Sequence, residues 1–91
     1  MSETTGPTIT IDTMGGNCPV QAEGWIDNVP FYFRSRGGHW SMSVGGVDVI
    51  AEPDWYHQEE YGVWPDAGWI TELEAFEFIR KAARLYKEQR Q

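Results

Sequence analysis

Between Gly37 and Ile79 the chain has no lysine and no arginine. The same stretch carries Asp48, Glu52, Asp54, Glu59, Glu60, Asp66, Glu72, Glu74 and Glu77, interleaved with Trp40, Trp55, Tyr56, Tyr61, Trp64 and Trp69. Like charges crowded on one surface repel, so folded domains usually mix their signs. The net charge is −7 and the pI is near 4.6. Such a chain has little of the lysine and arginine through which proteins neutralise the phosphates of DNA, RNA or anionic membranes. Direct nucleic-acid binding and membrane binding are therefore not expected. An acidic surface serves solubility, and it also suits a positively charged partner.

Cysteine is almost missing. Cys18 stands alone, so no intramolecular disulfide can form, which fits a reducing cytoplasm. No apolar run approaches the length of a bilayer crossing. The segment Met1 to Pro7 lacks the basic and apolar regions of a secretory signal. Cytoplasmic localisation is the expectation. What the chain does have is aromatic mass. With five Trp and 41% hydrophobic residues, its 91 residues are enough for one domain with a packed core, and it is too aromatic to be disordered.

The pattern divides the chain into four parts. Residues 1–7 read as a flexible arm, and 8–50 as an antiparallel sheet. Within 8–50, Thr8 to Thr13 alternates into a strand with Ile9 and Ile11 inward, and Met14 to Asn17 reads as a turn. Three hairpins follow. Gly37-Gly38 and Gly45-Gly46 are read as two-residue turns with positive φ at both positions, and Asp27 to Pro30 as a four-residue loop. These registers agree on one apolar face: Ala22, Ile26, Phe31, Phe33, Trp40, Met42, Val44, Val47 and Val49. The other face carries Glu23 opposite Arg34, with Trp25, Tyr32, Arg36, His39, Ser41, Ser43 and Asp48. Residues 51–70 lose periodicity and read as an ordered acidic aromatic loop. Residues 71–88 read as a helix. Thr71 and Glu74 have capping-box spacing, and the acid-first, base-last charge order suits the helix dipole. The apolar arc runs over half the helix, with Phe78 and Leu85 at its margin. Phe33 is expected against that helix, near Phe76 or Ile79.

Four constellations have chemistry to offer. Asp54, His57, Glu59 and Glu60 are legitimate metal ligands, but their spacing matches no metal motif, and solvated loop charges explain them as well. Cys18 with His39 or His57 and an acid would be a minimal nucleophilic set, without a local signature, and a lone Cys is more often a small buried apolar residue. Glu59-Glu60 as a carboxylate pair is weakened because adjacent side chains point apart. Trp25, Tyr32, Arg34, Arg36 and His39 form an aromatic-basic strip, read as a cross-strand aromatic pair plus a surface ion pair from Glu23 to Arg34. No catalytic residue, cofactor or metal is expected.

The run GWIDNVPFYFRSRGGHWSMSVGG followed by AGWITELEAFEFIRKAARLY resembles small acidic hypothetical proteins of bacteriophages and mobile elements. The resemblance spans Ala22 to Tyr86. It implies an inhibitor of host defence, of the anti-CRISPR type that imitates nucleic acid. No functional residue carries over from it.

The expected fold is α+β: an antiparallel four- to five-stranded meander with one C-terminal helix packed on its apolar face. The expected function is a non-enzymatic acidic binding protein, monomeric or weakly dimeric. It would occupy the basic surface of a nucleic-acid-handling protein such as a CRISPR effector. Asp54, Trp55, Glu59, Glu60, Trp64 and Asp66 are the expected partner-binding residues, with the aromatics as anchors. The alternative is a small-ligand or metal-binding module that uses the 51–70 loop.

Overall fold

A computed structural model describes residues 8–16, 19–62 and 70–89. Five antiparallel strands run in the order β1 (Ile9–Gly15), β2 (Val20–Ile26), β3 (Val29–Arg36), β4 (His39–Val44) and β5 (Trp55–Glu60), each paired with the next. One helix, α1 (Glu72–Gln89), packs on one face against β1 and β4. This is the expected α+β meander.

The strands form where side chains alternate between apolar and polar. β2 does so without interruption, burying Val20, Ala22, Gly24 and Ile26 while Gln21, Glu23 and Trp25 face out. Two strand connections differ from expectation. β2 and β3 are joined by Asp27-Asn28 alone, both at positive φ (49° and 72°), a backbone that Asp and Asn tolerate better than other side chains. Ile26 therefore faces Val29, Ala22 faces Phe33 and Glu23 faces Tyr32. The expected register is off by two residues. Because side chains alternate with period two, every residue still lands on its expected face. At the Gly37-Gly38 turn only Gly37 has positive φ (67°), and the β3–β4 register is the expected one, from Phe31 opposite Val44 to Arg36 opposite His39.

β1 runs on to Gly15 where a turn was expected to begin at Met14, and it contains a bulge. Ile11 faces Gly24 and Thr13 faces Glu23, so Asp12 is the extra residue. The insertion changes the parity of the strand. Ile9 and Ile11 point inward before it and Met14 after it, and all three pack against the core.

Residues 45–60 depart furthest from expectation. Gly45 and Gly46 both have positive φ, yet they do not close a hairpin onto Val47 and Val49. The chain instead leaves the sheet as a loop and returns as β5, which pairs with β4 from His39 opposite Glu60 to Val44 opposite Trp55. Val47 is 95% exposed. Thus 55–60, expected inside a long loop, is an edge strand.

The core holds Phe31, Phe33, Trp40, Met42 and Val44 from the sheet and Ala75, Ile79, Ala82, Ala83 and Tyr86 from the helix. The small helix residues let the backbone approach the large sheet side chains closely. Phe33 is fully buried in the same cluster as Ile79. Phe76 is only half-buried, with the Arg80 guanidinium 6.0 Å above its ring. Phe78 stacks on Trp40 at 5.1 Å and meets Tyr61 edge-on at 5.5 Å.

The start of α1 is a reciprocal cap. Thr71 N–H donates to Glu74 Oε1 at 3.0 Å, and Glu74 N–H donates to Thr71 Oγ1 at 3.1 Å. Two backbone donors left open by the helix start are thereby satisfied.

Candidate functional site

β5 separates the acids expected to act together. In a strand, neighbours point to opposite faces. Trp55, His57 and Glu59 sit on the helix side, opposite Val44, Met42 and Trp40, while Tyr56, Gln58 and Glu60 face outward. Trp55 is half-buried; its indole N–H donates to Gln89 Oε1 at 2.7 Å, and its ring meets Tyr86 edge-on at 5.6 Å. Glu59 lies 2.8 Å from His57 Nε2 and 2.9 Å from Lys81 Nζ. The Trp55–Gln89 and Glu59–Lys81 contacts tie the edge strand to the helix. Glu60 is exposed on the far face, and Asp54 is exposed just before the strand. Trp64 and Asp66 lie outside the described residues, as does Cys18. Asp54, Trp55, Glu59 and Glu60 therefore do not form one surface.

The same alternation disperses the candidate metal ligands. His57 and Glu59 share a face that Glu60 does not. Among the described residues no three His, Cys, Asp or Glu side chains come together as ligands.

Two other surfaces remain. The first is the loop from Gly45 to Asp54. Asp48 Oδ1 accepts the N–H groups of Ile50 (3.0 Å) and Ala51 (3.1 Å), and Glu52 N–H donates to Asp48 O at 2.7 Å. Asp54 N–H donates to Val44 O at 3.1 Å. A Cβ on Gly46 would stand 2.2 Å from the Glu52 carbonyl oxygen, so the closure depends on that glycine. The loop holds Val47 and Ile50 in solvent, at 95% and 59% exposure. The same loop carries Asp48, Glu52 and Asp54, none of which forms an ion pair among the described residues.

The second is the sheet face turned away from the helix. Trp25 donates its indole N–H to Asp12 Oδ2 at 2.9 Å, so the bulge residue is used as an acceptor. Tyr32 donates to Gln21 Oε1 at 2.9 Å. The expected Glu23–Arg34 ion pair is absent, because the two-residue turn puts Gln21 opposite Arg34. Between Arg34, Arg36, His39, Ser41 and Tyr56 lies a shallow depression of about 460 Å³.

No protein-family model, curated protein or solved structure matches this chain.

Among the described residues no helix is long and apolar enough to cross a membrane. Geometry and electrostatics thus define the candidate surfaces.

Among the described residues three carboxylates are held below their ordinary range, and all three hold the helix in place. The Lys87 ammonium lowers Asp27, helped by the Thr8 N–H. His57 lowers Glu59, with Lys81 second. The Thr71 N–H lowers Glu74, with the Tyr61 hydroxyl second. In the unfolded chain these groups titrate near 3.8 for Asp and 4.5 for Glu. A carboxyl depressed in the folded state contributes stability that is complete above its unfolded value and lost as pH falls through its folded value. The melting temperature should therefore change little from pH 7 to 6 and fall below about pH 4.5. Glu74→Gln should lower it at pH 7 and shrink the acid-induced drop. A melting temperature that rises steadily on acidification would contradict the role given to these contacts.

Proposed function

We propose that this is a non-enzymatic binding protein whose acidic side docks on a basic surface of a partner that handles nucleic acid, with the 45–54 loop making first contact. The observation that carries this reading is the exposure of Val47 and Ile50 on a loop whose carboxylates Asp48, Glu52 and Asp54 form no ion pair among the described residues. Apolar side chains held in water by a closed loop are costly unless something covers them. A loop already fixed by its own hydrogen bonds loses little entropy on binding. Asp48, Glu52, Asp54 and Glu60 would attract a cationic surface over distance, and Val47 and Ile50 would seat in it. This moves the contact away from Trp55 and Glu59, whose side chains are engaged with the helix.

The two contributions separate kinetically. Charge steers association, while buried apolar contact slows dissociation. The protein would be used as bait in its native cells, with a photo-crosslinker at Val47 to mark what touches the loop, and the marked protein purified. Glu52→Gln/Asp54→Asn/Glu60→Gln should then slow association about tenfold and flatten its salt dependence. Val47→Ser/Ile50→Ser should mainly speed dissociation. The marked protein should lose bound DNA or RNA when this chain is added. If both variants bind like the parent, or if the marked protein is acidic, the reading is wrong. Asp48 is left intact because it holds the loop.

A further inference from the structure

We propose that the depression on the outer sheet face binds a small phosphomonoester carrying a planar ring, the class of a nucleoside monophosphate. The reading is independent of the partner surface above, and none of the side chains that would hold the ligand belongs to that surface. Most of the chain's cations lie on α1; Arg34 and Arg36 are the two on the sheet. They point the same way from one strand, two residues apart, and neither forms an ion pair among the described residues. Two guanidinium groups at one depression, in a chain of net charge −7, make a local positive field that no ion pair among the described residues cancels. Arginine's planar fork suits phosphate, which accepts two parallel hydrogen bonds from it. His39, across from Arg36, and Ser41, across from Arg34, offer further donors at the same place.

The ligand's other half follows from β5. Tyr56 borders the depression with 55% of its surface exposed, and its hydroxyl is turned onto Gln58 Oε1 at 2.9 Å. That bond fixes the ring and leaves a face available for stacking. A volume of about 460 Å³ falls in the range of small-molecule sites. A long polyanion is disfavoured, because Glu60 stands opposite His39 at one margin and Glu23 beside Tyr32 at the other. One phosphate fits between them.

The test is a titration of the isotope-labelled protein with adenosine 5′-monophosphate, followed by backbone amide shifts. Inorganic phosphate and a thymidine octanucleotide are the comparison probes. The amides of Gly37, Gly38, His39 and Ser41 should shift along a saturable curve. Arg34→Gln and Arg36→Gln should each weaken binding about tenfold or more, since each removes a charge-assisted hydrogen bond. Tyr56→Ala should weaken the nucleotide and leave inorganic phosphate unchanged. All three side chains are exposed or at the rim, and unchanged amide spectra elsewhere would show that the variants fold. Equal affinity for inorganic phosphate and the nucleotide would remove the ring from the proposal. An octanucleotide that binds far more tightly, with steep salt dependence, would replace it with a nucleic-acid surface. Shifts that are non-saturable, or unaffected by the arginine variants, would overturn it outright.

Discussion

Trp40→Ala should remove about 3–5 kcal/mol of folding free energy, the range for truncating a large buried aromatic. Trp40 is 1% exposed and is the largest of the fully buried side chains among the described residues. It touches Phe33 at 5.9 Å, Phe78 at 5.1 Å and His57 at 5.7 Å between ring centroids. Those three residues come from β3, the helix and β5, so one ring joins both layers and the edge strand. A domain of this size has about 5–15 kcal/mol to lose, so the variant should be close to unfolded in mild urea. The order of loss is also specified. β5 has a strand on one side only, and His57 stacks on Trp55 and meets Trp40 at a tilt. Its amides should exchange with solvent faster in the variant than those of β2 and β3. Trp40→Phe keeps a ring against Phe78 and should recover much of the loss. A denaturation midpoint corresponding to a loss under about 1 kcal/mol would show that Trp40 is not the joint between layers.

Much of this architecture was legible because period-two alternation tolerates one kind of mistake. Reading Asp27 to Pro30 as the turn misplaces β2 against β3 by two residues, yet Ala22, Ile26, Phe31 and Phe33 still fall on the inner face. Cross-strand pairs are less forgiving. Glu23 opposite Arg34 becomes Glu23 opposite Tyr32, and an expected ion pair disappears, leaving an open cationic depression. The helix was clear from its cap, its charge order and its apolar arc. β5 was hidden because its inward side chains are Trp55, His57 and Glu59, two of them polar. Their inward positions make sense only once Lys81, Tyr86 and Trp40 stand across from them. The glycine pair at 45–46 misled for a related reason: two glycines at positive φ can start a loop as readily as a hairpin. Val47 and Val49 matched an inward pattern by composition, while the backbone closure through Asp48 sends Val47 into solvent.

Gly24→Ala should be among the most damaging single-methyl changes in the sheet, and a neighbouring glycine supplies its control. A Cβ at Gly24 would lie 1.9 Å from the Thr10 carbonyl oxygen and 2.9 Å from the Ile11 Cα. Both are backbone atoms, so no side chain can swing aside. The crowding arises at the β1 bulge, where the extra residue Asp12 draws the strand toward Gly24 and brings Met14 back to the core. Adding the methyl group forces β1 outward. The cost should be about 1–3 kcal/mol as overpacking, or more if the strand detaches. Detachment would also stretch the Trp25–Asp12 hydrogen bond and the Asp27–Thr8 contacts, and it would uncover the helix where β1 now packs. Faster amide exchange should therefore be concentrated in 9–15 and in the part of α1 beneath it. Gly15, at the end of β1, has nothing within 4 Å of a Cβ position and no positive φ. Gly15→Ala should be neutral, or stabilising by about 0.4–1 kcal/mol through the unfolded chain. Thermal melts of the two variants decide the point. Equal melting temperatures would mean that β1 does not approach Gly24 as described, and the bulge at Asp12 would lose its structural role.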